Sequence, residues 1–123
     1  MIVDIFRNGE IVLKGPLYLA NSFWGRFKGL MLKKCIGEEE GIFFKNVNRI
    51  HTCFMLFPID VVYFSKDYRV LYIETVYPWK ISSNVKGAKH ILEVNIGKGK
   101  KFNLDEYVEI VSRGKEFDNG VQR

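Results

Sequence analysis

Long apolar runs, cysteines and prolines are all scarce in this chain of 123 residues. It has two cysteines and three prolines, and its richest apolar stretch is interrupted by Pro58, Asp60 and Lys66. A helix needs about 20 apolar residues to span a bilayer, so no membrane-spanning helix is predicted. Cys35 and Cys53 are too few for a disulfide framework, and we expect both to be free thiols.

Signals for export and for several kinds of chemistry are also missing. The first ten residues, MIVDIFRNGE, lack the basic start and the long apolar middle of a secretory signal, which predicts a cytoplasmic protein. The sequence contains no phosphate-binding glycine loop, dinucleotide fingerprint, zinc-protease helix motif or serine nucleophile elbow. These absences exclude the enzyme classes that such motifs mark, and we predict no cofactor.

The chain does contain enough apolar material for one core, at 47% hydrophobic and 15% aromatic residues. We expect one domain over 1–113 and a tail, 114–123, that lacks periodicity and is predicted to fray. The formal net charge of +5 favours weak attraction to nucleic acid, acidic lipid or anionic small molecules. Basic clusters at 32–34 and 98–101 are more simply explained as solvated lysines.

The pattern along the chain predicts one helix and at least six strands. Asn8-Gly9 favours a tight hairpin turn, and Asn21-Ser22 can cap a short amphipathic helix at about 22–34. From Gly41 onward, short runs rich in β-branched and aromatic residues alternate with polar turns, as is typical of strands. Few connections are long enough for crossover helices. We therefore predict an α+β, mostly β fold: a compact antiparallel barrel-like domain with one packed helix.

The stretch HTCFM at 51–55 places three residue types that bind metals at alternate positions. If it is extended, His51, Cys53 and Met55 share one face, and together they would suit a soft metal. At roughly 3.4 Å per residue, however, the outer two lie about 14 Å apart, too far for three ligands of one ion. We predict no metal site here. A Cys53 nucleophile activated by His51 is a minor alternative, and the sulfur atoms are expected to pack in the core.

Two carboxylates interrupt otherwise apolar strands. Asp60 follows a Pro-Ile pair, and Glu93 lies within HILEV. In such a setting a carboxylate serves as a turn or cap residue or pairs with a cation, and Arg26 and Lys80 are the available counter-charges. A structural ion pair and a pocket for a polar or anionic ligand both fit this pattern.

Five sequence elements together resemble domain-of-unknown-function family 192, an uncharacterised family of bacteria and archaea. They are RFKGLM at 26–31, EGIFF at 40–44, IHTCFMLFPIDVVYF at 50–64, YPWK at 77–80 and GAKHILEVNIG at 87–97. The order and spacing match over roughly 16–110, in the branch that reads His-Thr-x-x-Met and then Pro-Ile-Asp. The resemblance implies a small β-rich domain with a helix and an unassigned biochemical function.

Carried over position by position, the resemblance marks two kinds of signature residue. The candidate ligand-binding residues are polar: Arg26, His51, Thr52, Asp60 and Glu93. The structural ones are Gly29, Met31, Gly41, Met55, Pro58 and Trp79. Cys53 stands where the family pattern has an aromatic residue, which weakens any mechanism that uses its thiol.

The leading interpretation is a non-enzymatic binding or accessory domain with a partly polar pocket for a small polar or anionic ligand, near the five polar signature residues. An alternative is a hydrolase or lyase with His51 as general base, Asp60 to orient it and Arg26 on an anionic substrate. A third is a weak binder of single-stranded nucleic acid through Lys98–Lys101 and exposed aromatics. Because many aromatics lie beside aliphatics in strands, this third interpretation is disfavoured. No oligomeric state is predicted.

Overall fold

The structure, a computed structural model, describes residues 2–20, 36–53 and 55–113, which form one curved sheet. Its strands are β1 (Ile2–Arg7), β2 (Glu10–Ile11), β3 (Leu17–Ala20), β4 (Gly41–Phe44), β5 (Ile59–Phe64), β6 (Val70–Val76), β7 (His90–Asn95) and β8 (Glu109–Ser112). One turn of 3₁₀ helix, Lys98–Lys101, follows β7. The prediction of a mostly β fold is confirmed. In these residues no helix is long and apolar enough to cross a membrane.

The sheet curls far enough for its two ends to meet. The strands are ordered β2-β1-β3-β4-β7-β5-β6, and β8 pairs with β1. The segment before β8 then reaches the start of β6, where the N–H of Val70 donates to the carbonyl of Glu106 at 2.8 Å. The N–H of Val108 donates to the carbonyl of Tyr68 at 3.0 Å. These backbone bonds give the domain its barrel-like shape.

The prediction of a purely antiparallel sheet is wrong at one pair of strands. β3 and β4 run parallel, with Leu17 opposite Gly41 and Ala20 opposite Phe44, whereas the other strand pairs of the described residues are antiparallel. A parallel pair needs a crossover of a dozen or more residues, and 21–40 is long enough to supply one.

The predicted helix at about 22–34 falls within this connection and lies outside the described residues. The same holds for three signature residues, Arg26, Gly29 and Met31.

Alternate residues of the central strands pack on opposite faces of the sheet. Val62 and Leu92 belong to an inner cluster inside the curve, whereas Val61 and Ile91 belong to an outer cluster on the other side. β5 is buried at all six positions, and β7 at all but Asn95. Burial on both faces explains why these strands read as continuous apolar runs rather than as an alternating pattern.

Two segments lie over the outer cluster, and we call residues 45–58 and 77–90 together the cover. Ile50 and Met55 from the first segment and Ala88 from the second are buried in the outer cluster. Full burial of a side chain the size of isoleucine or methionine contributes about 1.5–3 kcal/mol of transfer free energy. The cover is therefore part of the folded core as well as part of the surface.

The two segments of the cover are held together as a short antiparallel ribbon. Ser82 and Ile50 exchange hydrogen bonds: the N–H of Ser82 donates to the Ile50 carbonyl at 2.9 Å, and the Ile50 N–H donates to the Ser82 hydroxyl at 2.9 Å. Next to them, His51 and Ile81 form a backbone bridge. Residues 28 or more positions apart in the sequence thus become direct neighbours.

A polar network fastens this ribbon to the sheet below. The Tyr63 hydroxyl on β5 donates to Glu74 on β6, and the same carboxylate accepts from the N–H and the hydroxyl of Ser83, both at 2.9 Å. Burial, followed by the hydrogen bond to Glu74, raises the pKa of Tyr63 above its ordinary value. Tyr63 therefore remains a neutral donor at physiological pH.

We expect Gly41→Ala to lower the free energy of unfolding by about 2–3 kcal/mol or to prevent folding. A Cβ at Gly41 would lie 2.4 Å from the backbone oxygen of Glu93 and 2.9 Å from Cγ1 of Val94, in the interior of the sheet. Gly37→Ala is the control, because the nearest atoms to its Cβ belong to the Glu40 side chain, at 3.0 Å or more, and none of the three is a backbone atom. Urea unfolding followed by circular dichroism compares the two variants. Equal stability of the two would contradict the expectation.

Candidate functional site

The described polar candidates do not share one environment. Thr52, Asp60 and Glu93 are buried, whereas His51 is half-buried. The fifth candidate, Arg26, lies outside the described residues. The contacts of each side chain therefore decide what it can do.

Asp60 and Glu93 lie on opposite faces of the sheet. In the antiparallel pair of β5 and β7, Asp60 is opposite Val94, and Glu93 is opposite Val61. Directly opposed residues of such a pair share a face. Val94 belongs to the inner cluster and Val61 to the outer one, so the two carboxylates cannot line the same pocket.

Asp60 holds the turn that follows β7. Its Oδ2 accepts hydrogen bonds from the N–H groups of Gly97 at 2.8 Å and Gly99 at 2.9 Å, and its Oδ1 accepts from the Thr75 hydroxyl at 2.7 Å. A Cβ at Gly99 would lie 3.0 Å from Oδ2, so glycine permits this approach. Three donors thus occupy the carboxylate. They provide no support for a role of Asp60 in orienting a catalytic histidine.

Thr52 holds the turn at 77–80 in the cover. Its hydroxyl donates to the carbonyl of Tyr77 at 2.6 Å and accepts from the N–H of Lys80 at 2.8 Å. Its own backbone carbonyl accepts from the N–H of Trp79 at 3.0 Å. Because the side chain is fully buried, these bonds replace contacts that water would otherwise make. Thr52 therefore fixes the conformation of a surface turn from below.

Glu93 is buried on the outer face between Ile42 of β4 and Val61 of β5. A buried carboxylate is costly without hydrogen bonds or a cation close by. The expectation that Arg26 or Lys80 provides a counter-charge stays a prediction for Glu93, and Arg26 lies outside the described residues.

His51 reaches a surface depression, unlike the three buried candidates. It lines a cleft of about 240 Å³ together with Arg49, Ile50 and Ile81. Its Nδ1 accepts a hydrogen bond from the N–H of Cys53 at 3.3 Å.

A second cleft, of about 300 Å³, is lined by Asn46, Val47, Asn48 and Lys89. All the residues named for both clefts belong to the cover. The clefts are rimmed by amide, ammonium and guanidinium donors, and these groups suit phosphate or carboxylate oxygens.

The cover has a strongly one-sided charge. Its two segments contain no aspartate or glutamate and five basic residues, all exposed: Lys45, Arg49, Lys80, Lys86 and Lys89. The remainder of the chain contains equal numbers of basic and acidic residues, so the cover accounts for the entire net charge of +5. The sequence shows this directly, but only the fold brings the two segments together.

The basic cluster Lys98–Lys101, by contrast, lies close to carboxylates. Lys98 pairs with Glu38 at 3.5 Å, and Lys101 pairs with Glu39 at 2.6 Å. The hydrogen bond from Lys101 lowers the pKa of Glu39, so the carboxylate stays charged beside the lysine. These pairs reduce the positive field of the cluster that the nucleic-acid interpretation relied on.

The cover also exposes four large apolar side chains. The exposed fractions are 56% for Leu56, 58% for Tyr77, 60% for Trp79 and 67% for Ile81. Trp79 has a φ of 63°, a left-handed conformation that bulky residues rarely adopt. Such strain is found mostly at functional sites. From the sequence, Trp79 is predicted to be structural, and Leu56, Tyr77 and Ile81 are not predicted as site residues. The available signal was their position in segments that contain no acidic residue.

His90 is the second histidine of the chain, and it belongs to the interior. Its Nδ1 accepts from the N–H of Asn46 at 3.0 Å, and its ring stacks on Tyr68 with the centroids 4.8 Å apart. Burial lowers the pKa of His90; the carbonyl of Lys66 opposes this, and two nearby lysines lower the pKa further. His90 is therefore a neutral structural residue at the buried end of the second cover segment.

Comparison with known sequences relates the chain to uncharacterised proteins. Residues 5–111 match the profile of the family DUF192, described as "Uncharacterized ACR". A UPF0127 protein of Thermococcus kodakarensis is 31% identical over 96 residues, covering 75% of this chain and 61% of that protein. A UPF0127 protein of Pyrococcus abyssi is 34% identical over 109 residues, covering 85% and 92%. The chain thus spans about three fifths of the length of the Thermococcus protein.

The fold has also been observed in a crystal. A protein of unknown function from Novosphingobium aromaticivorans superposes with a TM-score of 0.67 over 89% of this chain and 84% of that one. The two sequences are 20% identical, so this likeness concerns the fold alone.

We expect Thr52→Val to lower the free energy of unfolding by about 1–3 kcal/mol, because the backbone partners of the buried hydroxyl lose their hydrogen bonds. Thr52→Ser retains the hydroxyl and is the matched control. Urea unfolding of both variants measures the difference. If the serine variant were as unstable as the valine variant, the hydroxyl would not be what holds the turn at 77–80.

We expect the protein to lose stability as the pH falls below about 6.5, the ordinary pKa of histidine. Because the pKa of His90 is lowered by folding, the unfolded chain binds its proton first, and acid then favours unfolding. Urea midpoints are measured between about pH 7.5 and 5.5, a pH range that lies above the pKa values of most carboxylates. His90→Gln keeps an acceptor for Asn46 and should flatten this dependence. An unchanged slope in that variant would contradict the assignment.

Proposed function

The chain belongs to the DUF192 family of uncharacterised proteins, and from this premise we propose that it is a non-enzymatic binding module whose cover docks an anionic partner. The observation that carries the proposal is the absence of acidic residues from the two segments of the cover, which contain five basic residues. All five basic residues are exposed, and with no aspartate or glutamate in either segment such an excess of like charge opposes the compact state. An anionic partner would turn this repulsion into attraction.

The two clefts support this proposal by offering places for charged groups. One has Arg49 and His51 on its wall, and the other has Lys89 between two asparagines. Their volumes of about 240 and 300 Å³ lie below and at the lower end of the range for small-molecule sites. That size suits a phosphate or carboxylate head group. His51 is the sequence candidate that this site retains.

A non-enzymatic role is supported by the way the buried candidates use their polar atoms. The Thr52 hydroxyl is hydrogen-bonded to backbone groups of the turn at 77–80. The Asp60 carboxylate accepts hydrogen bonds from the backbone of the turn after β7 and from the Thr75 hydroxyl. General-base chemistry by His51 would need a group to orient it within hydrogen-bond reach, and Asp60 is committed to other donors.

Two finer sequence predictions belong to this proposal. A cytoplasmic location is supported by Cys53, which carries a free thiol as expected in a reducing compartment. A helix at about 22–34 is supported by the parallel pairing of β3 and β4, because such pairs are usually joined by a helical crossover.

We expect reversal of two charges in the cover, Lys80→Glu with Lys86→Glu, to weaken binding to an immobilised sulfated polysaccharide about tenfold or more at about 0.1 M salt. Lys14→Glu with Lys100→Glu changes the net charge equally outside the cover and is the control. Elution in a salt gradient measures both. If both pairs of substitutions shift elution to the same extent, binding follows total charge, and the cover is not the docking surface.

A further inference from the structure

We propose that the anionic partner is a membrane surface, which the cover enters with its exposed apolar side chains while its cations contact lipid head groups. This inference rests on the proposed function of the cover and names the partner. It differs from membrane spanning, because only one surface of the domain would reach the interface.

The chemistry of the exposed side chains favours a lipid interface over nucleic acid. Leu56 and Ile81 are branched aliphatics, each more than half exposed. Bases stack on aromatic rings, and an aliphatic side chain provides no such platform. Aliphatic side chains gain free energy when they leave water for an acyl layer, and Trp79 and Tyr77 are residue types enriched at membrane interfaces.

The charges of the cover lie in the same short segments as these side chains. Lys80 separates Trp79 from Ile81, and Arg49 shares a cleft with Ile81. Lysine and arginine next to an apolar insertion are attracted to anionic lipids. The absence of carboxylates from both segments removes the groups that the same lipids would repel.

The fold holds the inserting turn in place before any contact. Thr52 binds the backbone of Tyr77, Trp79 and Lys80, so the turn keeps one conformation. A surface that is already ordered loses less conformational freedom on binding. The left-handed backbone at Trp79 is then explained as the conformation that displays the indole ring outward.

A second surface of the domain, with exposed apolar side chains but acidic neighbours, provides a matched control. Leu104 and Tyr107 are exposed by 59% and 62%, much as Trp79 and Ile81 are. Their neighbours in sequence include Asp105, Glu106 and Glu109, and the first two pair with arginines. Equal apolar exposure without an excess of cations should not bind an anionic bilayer.

The test is flotation of the whole chain with vesicles of phosphatidylcholine, with or without about 30% phosphatidylserine. We expect binding to the anionic vesicles only, at low salt, with a blue shift of tryptophan fluorescence. Trp79→Ala with Ile81→Ala should reduce binding at least about tenfold, whereas Leu104→Ala with Tyr107→Ala should leave it within about twofold. Leu56→Ser, in the other segment, is a second variant in case the first does not fold.

The outcomes separate this inference from the proposed function. Equal binding to neutral vesicles, or equal loss in the two alanine pairs, would overturn the membrane inference. A single-stranded oligothymidylate provides the comparison with nucleic acid. If it binds and the vesicles do not, the cover still docks an anion, but the membrane assignment fails. If the oligothymidylate, the vesicles and the sulfated polysaccharide all fail to bind, both proposals fail.

Discussion

β5 and β7 bury side chains on both faces of the sheet, and most other features follow from the need to keep water off the outer face. The inner face is closed by the curl of the sheet itself. In the part of the chain that the structure describes, no second sheet covers the outer face, and the two connecting segments of the cover contribute apolar side chains to it. Connections that must be well ordered for folding can hold surface side chains in fixed positions, and this links the core to the candidate site.

The secondary structure was largely predictable from local pattern, but the pairing of strands was not. Short β-branched runs between polar turns indicate strands regardless of which strands pair with one another. The prediction of a mostly β fold is accordingly confirmed. The parallel pairing of β3 with β4 depends on which strands meet after a long connection, and no local pattern encodes that. The faces of Asp60 and Glu93 likewise depend on the register of β5 against β7.

The candidate site was only partly visible in the sequence because its elements are far apart along the chain. His51 and Trp79 were singled out, but as members of different groups. The absence of acidic residues from 45–58 and from 77–90 becomes meaningful once the bonds between Ile50 and Ser82 make the segments neighbours. Similarly, the sequence shows Lys101 only as part of a basic cluster, whereas the fold places Glu39, which is distant in sequence, beside it.

The interleaving of inward and outward residues in the cover also bears on how such a domain can diversify. Ile50 and Met55 are constrained by the core, while Arg49 and Leu56, one position away, are exposed. Substitution of the outward set could exchange one recognition preference for another without refolding the scaffold. A lineage could therefore keep this architecture while its members acquire different partners, much as antibody loops vary on a constant framework.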